Sequence, residues 1–255
     1  MLLHAYDWGD PGSPPVVCLH GVTGHAGRYR PLAERRLAAR YRVVAADLRG
    51  HGASGWDPPW SIAAHVADLL ETTDSLGIER AAWIGHSYGG RIVMELASAH
   101  PERVERAALL DPAIWIPPPA AGEYAERERR DRAWRTVEEA VEERFAEGTL
   151  LPGAREVMAA DMAERLVRGE DGLLRPNYSL AAAVTAFSEM AAPPSFPEVP
   201  LLVVRGERSI VTPDSLVDLC RASAPSLELV DVPGFHNVPW DAFGETADAI
   251  EAFLA

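Results

Sequence analysis

The 255-residue sequence contains no lysine, and all 24 of its basic residues are arginines. This absence excludes chemistry that needs a lysine amine, such as a Schiff-base nucleophile, an anchor for pyridoxal phosphate or the lysine of a phosphate-binding loop. Cysteine is scarce too. Cys18 and Cys220 both lie in apolar segments, which indicates packing residues rather than a disulfide framework. No apolar run reaches the roughly 18 residues that a membrane span needs.

Basic residues are also fewer than acidic residues. The sequence has 38 acidic residues against 24 arginines, and its formal net charge is −14. Such a surface repels phosphate groups, so neither nucleic acid nor an anionic membrane is an expected partner. The first residues lack a basic region followed by an apolar stretch. We therefore predict no signal peptide and a cytoplasmic location.

Short apolar runs alternate with helix-like segments along much of the chain. Runs of this length, bounded by Gly, Pro and Asp, are typical of parallel strands that are covered on both faces. We predict strands at Val16–Leu19, Tyr41–Ala46, Ala81–Ile84, Ala107–Leu110, Leu201–Val204 and Leu227–Val230. Helices are predicted at about 30–40, 61–76, 88–99, 213–223 and 240–254. The alternation predicts an α/β fold with a doubly wound, mostly parallel sheet.

The alternation stops between residues 113 and 195, a stretch too long for a plain loop. It begins with the proline-rich segment Ile114–Pro119, and its middle indicates several helices and no strand. We predict a helical cap at 113–195, inserted into a core formed by 1–112 and 196–255. The charged run Glu126–Arg135 inside it is interpreted as a solvated helix face.

A G-x-S-x-G motif spans Gly85–Gly89, with Ser87 at its centre. The motif follows one predicted strand and precedes a predicted helix, which is the context of a nucleophile elbow. The flanking glycines let strand and helix approach closely, and the helix N-terminus directs its positive end at the serine. Ser87 is therefore the predicted nucleophile.

Three further segments, in the same order along the chain, make the sequence resemble the α/β-hydrolase family. His20-Gly21 is similar to the family's H-G motif at the oxyanion loop, Asp47–Ser54 to its D-x-R-G-x-G-x-S segment, and Gly234-Phe-His236 to the region of its catalytic histidine. The resemblance implies a nucleophile, a base and an acid, together with an oxyanion hole. By position, its backbone N–H donors are those of Val22 and Tyr88.

The base of such a site must accept a proton from an alcohol near neutral pH, so histidine is the natural choice. Among eight histidines, His236 follows the last predicted strand on a glycine-flanked loop, and we predict that it is the base. His86, beside the nucleophile, is the next candidate. His20 and His51 belong to motif positions that the family uses structurally.

The acid departs from the usual family pattern. Ser209 and Ile210 stand after the penultimate strand, where an aspartate is expected, and Glu207 lies too early in that loop by the usual spacing. Asp111 directly follows the strand after the nucleophile, and some members of the family, including certain haloalkane dehalogenases and lipases, place their acid there. We predict Asp111 as the acid, with Glu207 and an unidentified partner as alternatives.

A serine nucleophile argues against dehalogenation and epoxide opening, which need a carboxylate that forms an alkyl-enzyme ester. A serine, a histidine and an acid suit acyl transfer to water, so we predict hydrolysis of small carboxylic esters without metal or cofactor. A carbon–carbon bond hydrolase, a lactonase and a non-catalytic ligand-binding protein stay open as alternatives, and the oligomeric state is not predicted.

The cap offers candidates for substrate contact: Trp115, Trp134, Phe145, Tyr178, Phe187 and Met190.

Overall fold

A central, mostly parallel sheet organises the protein. The computed structural model describes residues 1–224 and 226–255. In these residues the strands are β1 (Ala5–Trp8), β2 (Pro15–Leu19), β3 (Arg42–Ala46), β4 (Ala81–His86), β5 (Val104–Leu110), β6 (Leu166–Arg168), β7 (Leu174–Pro176), β8 (Leu201–Gly206) and β9 (Leu227–Val232). The main sheet has the order β1-β3-β2-β4-β5-β8-β9, with the β1–β3 pair antiparallel and the other pairs parallel. The predicted fold class is confirmed.

Helices cover both faces of this sheet. They are α1 (Arg30–Leu32), α2 (Ile62–Ser75), α3 (Tyr88–Ala99), α4 (Pro118–Glu128), α5 (Val137–Ala146), α6 (Arg155–Arg165), α7 (Leu180–Met190), α8 (Asp214–Ser223), α9 (Val238–Asp241) and α10 (Phe243–Leu254). Short helical turns occupy Ala26–Tyr29, Ala33–Leu37, Pro101–Arg103 and Pro152–Ala154. Within the described residues, no helix is both long enough and apolar enough to cross a membrane.

Successive residues of the buried strands enter two different cores, one on each face of the sheet. Val17 and Leu19 of β2 pack in the core that α2 and α3 cover. Val16 and Cys18 pack in the core on the other face, which α10 covers. Side chains of a strand alternate between faces, so a strand buried on both sides must be apolar at every position. This is the reason that continuous apolar runs mark these strands in the sequence.

Strand β1 is not among the predicted strands. It lies at the edge of the sheet and pairs only with β3, so it needs no continuous apolar run. Tyr6 and Trp8 share one face, where their rings stack at 5.4 Å. Asp7 points to the opposite face and binds Arg42 of β3 at 2.7 Å.

The segment between β5 and β8, here called the cap, contains α4 to α7 and a small hairpin of β6 and β7. The expectation of a cap without strands is therefore wrong. Each hairpin strand has only three residues, too few to display a two-residue alternation in the sequence. Trp134 adds to the hairpin by pairing with Leu174 through backbone hydrogen bonds of 2.9 and 2.7 Å.

The cap consists of two helix pairs with different cores. Helix α7 packs with α4 and contributes Ala183, Ala186 and Met190 to the main core above the sheet. Helices α5 and α6 pack on each other around a separate small core that includes Met158 and Met162. One half of the cap is thus continuous with the body of the protein, and the other half is stabilised mainly by itself.

The turn from β4 into α3 brings backbone segments into direct contact. A Cβ on Gly89 would lie 2.3 Å from the carbonyl oxygen of Leu19 in β2, and a Cβ on Gly85 would lie 2.5 Å from the backbone of Gly89. Backbone atoms cannot yield as a flexible side chain can. Both positions therefore require glycine for steric reasons.

Replacing Gly89 by alanine should lower the free energy of unfolding by about 2–3 kcal/mol or more, because the new methyl group overpacks a rigid contact. Gly122 is the matched control, since it also lies within a helix but has no neighbour within 4 Å of a Cβ. Gly122→Ala should raise the free energy of unfolding by about 0.5–1 kcal/mol through helix propensity alone. Denaturant unfolding of both variants measures the difference. Equal effects of the two substitutions would contradict the close approach.

Candidate active site

Ser87 lies at the tip of the tight turn between β4 and α3. Its φ is 55° and its ψ is −119°, a backbone conformation that a residue with a side chain rarely adopts. Two backbone hydrogen bonds fix the turn to the end of β5. Ser87 N–H donates to the carbonyl of Leu110 at 3.1 Å, and the Ser87 carbonyl accepts from Ala113 N–H at 3.1 Å. The strained serine is therefore tied to the end of the neighbouring strand β5.

His236 lies between the serine and a carboxylate. Its Nε2 is 2.9 Å from Ser87 Oγ, and its Nδ1 is 2.6 Å from Asp111 Oδ2. Because a carboxylate oxygen accepts, Nδ1 carries the proton and the Nε2 lone pair faces the hydroxyl. The arrangement is an unbroken hydrogen-bonded chain of serine, histidine and aspartate.

His86 supports this chain from the nucleophile side. Its Nε2–H donates to the carbonyl of His236 at 3.0 Å. Burial, together with the neighbouring His236 ring, lowers the pKa of His86 to about 3. The neutral imidazole of His86 donates its Nε2–H to a backbone carbonyl and so fixes the position of the His236 loop. It is not oriented as a base for Ser87.

Asp111 is fully buried directly after β5, with a φ of 40°. Its Oδ1 accepts from Gly206 N–H at 3.1 Å, and its Oδ2 accepts from the Ser209 hydroxyl at 2.5 Å as well as from His236. Ser209, at the usual position of the acid, thus binds the predicted acid, Asp111, which follows the neighbouring strand. The exposed side chain of Glu207 makes no hydrogen bond to His236 among the described residues.

The two predicted oxyanion donors flank Ser87. Tyr88 begins α3 immediately after it, and Val22 follows Gly21, where a Cβ would lie 2.9 Å from the Cβ of Ser87. His51 Nε2 lies 2.6 Å from the Val22 carbonyl oxygen, which fixes the direction of that peptide segment. Both backbone N–H groups therefore belong to segments held beside the hydroxyl, as an oxyanion hole requires.

A buried charged cluster connects the loop of Val22 to the cap. Asp161 of α6 accepts from Arg28 Nε at 2.7 Å and lies 3.0 Å from His25 Nε2. Arg165 of the same helix donates to the carbonyl of Thr23 at 3.1 Å. Burial alone would raise the pKa of Asp161, but Arg28, His25 and Arg165 hold that pKa well below its usual range. The loop that carries Val22 thus depends on the position of α6.

A cavity of about 360 Å³ opens above Ser87, between the sheet and the cap. Four of the predicted contact residues line it: Trp134, Tyr178, Phe187 and Met190. Trp115 lies outside, with its side chain exposed and its indole N–H donating to Ala191. Phe145 also lies outside, packed in the small core of the cap beneath Arg155.

Polar residues of the cavity wall were not singled out in the sequence. Arg127 and Arg132 come from the charged run that was interpreted as a solvated face, yet both line the cavity. The mixture of signs in that run gives the pattern of an exposed helix. A sequence signal for the opposite arrangement is Trp134 within the run. Its side chain is buried, and its indole N–H donates to Glu143 at 2.7 Å.

Known proteins place the chain in one family. A family model described as alpha/beta hydrolase fold matches residues 14–243. Lipase LipV of Mycobacterium tuberculosis is 31% identical over 257 residues, which cover 99% of this chain and 97% of the lipase. The 3-hydroxybutyrate-oligomer hydrolase of Cupriavidus necator is 30% identical over 256 residues, which cover 92% of this chain and 86% of that protein.

A solved structure agrees in fold. The crystal structure of E-2-(acetamidomethylene)succinate hydrolase superposes with a TM-score of 0.86 at 24% identity, covering 99% of this chain and 94% of that one. The chain therefore belongs to the α/β-hydrolase family, and the resemblance in its motifs is confirmed. Its relatives within that family include a lipase and an esterase.

Asp111→Asn should lower kcat for hydrolysis by roughly 10³–10⁴-fold, because the amide cannot hold His236 in the required tautomer or stabilise its imidazolium form. Glu207→Gln is the matched control and should change kcat by less than about twofold, as expected for an exposed surface residue. Steady-state kinetics of both variants, with circular dichroism to verify folding, makes the comparison. A crippled Glu207→Gln beside an active Asp111→Asn would move the acid to the later strand.

Proposed function

We propose that this protein is a serine esterase that hydrolyses carboxylic esters through an acyl-enzyme on Ser87. The observation that carries the proposal is the continuous chain from Ser87 Oγ through His236 to Asp111, with links of 2.9 and 2.6 Å, at the floor of the cavity between the sheet and the cap. These are hydrogen-bond distances at which a proton can pass from a hydroxyl to an imidazole.

In the first half of the reaction, Ser87 Oγ attacks the ester carbonyl carbon while its proton moves to His236 Nε2. The carbonyl oxygen becomes an oxyanion, for which the N–H groups of Val22 and Tyr88 are the proposed donors. Asp111 stabilises the imidazolium that forms. The intermediate then collapses, His236 returns the proton to the leaving alcohol, and the acyl group stays on Ser87.

In the second half, water replaces the alcohol. His236 Nε2 takes a proton from the water as its oxygen attacks the acyl carbon, and a second oxyanion forms in the same hole. Collapse of this intermediate breaks the bond to Ser87 Oγ, which regains its proton from His236. The products are the carboxylic acid and the free enzyme, so no cofactor is consumed.

Two considerations favour ester substrates over other chemistry of the family. A serine hydroxyl is suited to forming an acyl ester, whereas opening an epoxide or displacing a halide needs a carboxylate nucleophile. The names of the two relatives with long alignments, a lipase and a 3-hydroxybutyrate-oligomer hydrolase, support the same class. A lactone is a cyclic ester and would follow the same steps.

Ser87→Ala should abolish hydrolysis of 4-nitrophenyl esters and leave the fold unchanged, because the alanine removes only the attacking oxygen. A fluorophosphonate probe, followed by mass spectrometry of the peptides, should label the wild-type protein at Ser87. Ser98 lies in α3, the helix that follows Ser87, and Ser98→Ala is the control. This variant should stay active and should still be labelled at Ser87. Labelling of another serine, or full activity of Ser87→Ala, would contradict the assignment.

His236→Ala should reduce kcat by about 10⁴-fold or more, and the double variant with Ser87→Ala should be hardly worse than either single variant, since members of a triad act as a unit. Kinetics of the three variants on one activated ester tests this non-additivity. A loss below about tenfold in His236→Ala would assign the base elsewhere, with His86 the next residue to change.

A further inference from the structure

The cavity above Ser87 is rich in positive charge, although the protein as a whole carries a formal net charge of −14. Among the residues that the structure describes, six arginines and three glutamates line it. The arginines are Arg28, Arg127, Arg132, Arg144, Arg165 and Arg208. Arginines on an acidic protein are expected to pair with the many carboxylates of the outer surface, so their concentration around one cavity needs a separate explanation.

The wall of the cavity has an apolar part and a charged part. The apolar part includes Ile116, Phe187 and Met190, with Tyr124 stacked on Phe187 at 5.6 Å. The charged part, here called the polar wall, combines Arg127 of α4 with Arg144 of α5 and Arg165 of α6. A ligand that fills this cavity therefore meets both apolar and charged side chains.

Nearby carboxylates do not balance the arginines of the polar wall. Asp161 is shared by Arg28 and Arg165. Glu147 is shared by Arg132 and Arg144. Arg132 approaches its Oε1, and Arg144 approaches its Oε2. Each of these two clusters thus has two cations for one anion.

The remaining carboxylates of the wall do not remove this excess. Glu128 lies 3.7 Å from Arg127 and 3.5 Å from Arg132. It is therefore shared by one further arginine, Arg127, and by Arg132, which also approaches Glu147. Glu143 is exposed to solvent and accepts from the indole of Trp134. Solvent screens the charge of an exposed carboxylate, so Glu143 compensates the half-buried guanidiniums only weakly.

Arg144 has donors that no acceptor in the described part of the chain uses. Its Nη1 donates to Glu147 and, at 2.8 Å, to the Thr149 hydroxyl, whereas its Nε and Nη2 have no acceptor among the described residues. Its side chain is 25% exposed and lines the cavity. Burial lowers the pKa of Arg144 against the effect of Glu147, and the nearby arginines lower it further. Guanidinium donors without a protein partner at a cavity wall are available to an anion, which accepts charge-assisted hydrogen bonds from them.

Among the described residues, Arg132 lacks a close contact with a carboxylate. Its two contacts are long, 3.5 Å to Glu128 and 3.8 Å to Glu147, and its side chain is 22% exposed. Arg132 and Arg144 approach different oxygens of the same Glu147, and both line the cavity. Two planar guanidiniums at such a spot suit a carboxylate, which accepts paired hydrogen bonds from an arginine fork.

We propose that the substrate is an anionic ester whose carboxylate binds to Arg144 and Arg132, while its apolar portion packs against Phe187 and Met190. The proposal rests on the proposed function, since it assigns the substrate class of that same site. The carboxylate belongs either to the acyl part or to the alcohol part of the ester, and the substrates below distinguish the two.

The kinetic test compares matched esters that differ in one charge. Mono-4-nitrophenyl adipate carries a carboxylate on the acyl side, and its methyl ester is the neutral counterpart. 4-Carboxyphenyl hexanoate and its methyl ester form the corresponding pair for the alcohol side. In one of the two pairs, wild-type kcat/KM should be at least about tenfold higher for the anion, as expected for a hydrogen bond to a charged group.

Arg144→Gln and Arg132→Gln should each lower that anionic-to-neutral ratio by about 10- to 100-fold, since each removes charge-assisted hydrogen bonds. Arg155→Gln is the matched control. Arg155 also lies on the α5–α6 pair and bonds to Glu142, but it is 47% exposed and lies outside the cavity wall. It changes the net charge equally and should leave the ratio unchanged. Arg144→Lys keeps the charge without the fork and should give an intermediate ratio.

A binding measurement separates this proposal from the proposed function. In the Ser87→Ala protein, calorimetry should detect binding of the anionic product of the preferred pair, which is adipate for the acyl side and 4-hydroxybenzoate for the alcohol side. Arg144→Gln should weaken this binding at least about tenfold, and Arg155→Gln should leave it unchanged. Hydrolysis of the neutral esters without any anionic preference, and without binding of either anion, would overturn the anion site and leave the esterase intact. Binding of the anion, with no turnover of any ester and no labelling of Ser87 in the wild-type protein, would overturn the esterase and leave the anion site intact.

Discussion

The carboxylate of Asp111 is the interaction on which the candidate site depends. It is fully buried, it sits at the end of β5 with a left-handed backbone, and its two oxygens accept from three donors. Those donors are Gly206 at the end of β8, Ser209 in the loop that follows it, and His236 in the loop after β9. One side chain thus joins the ends of β5 and β8 to the histidine. The cost of burying its charge is met by these hydrogen bonds, as burial of an ion requires.

The cap is coupled to this chemistry through the oxyanion loop. Asp161 and Arg165 of α6 hold Arg28 and the carbonyl of Thr23, so the helix that forms part of the cavity wall also supports the segment of Val22. A ligand bound at Arg144 and Arg132 would lie in the same cavity as Arg28 and Arg165, which support the segment of Val22.

Local patterns in the sequence predict the sheet and the nucleophile, because buried parallel strands and a strand–turn–helix motif leave marks within a few residues. They do not reveal that the Ser209 hydroxyl binds the acid, since this contact joins positions 98 residues apart in the chain. Edge strand β1 and the cap hairpin escape prediction because they are short and half-exposed. The arginines of the wall escape it because an alternating charge run gives the same pattern whether it faces solvent or a polar cavity.

The central claim is that Ser87, His236 and the two backbone donors form one acyl-transfer site. A crystal structure of the protein after reaction with an alkyl phosphonate tests it most directly, because the tetrahedral phosphorus resembles the intermediate. The account predicts a covalent bond to Ser87 Oγ, with the phosphonyl oxygen within hydrogen-bond distance of the N–H groups of Val22 and Tyr88, at 2.7–3.1 Å. An adduct on another residue, or a phosphonyl oxygen directed away from both N–H groups, would contradict it.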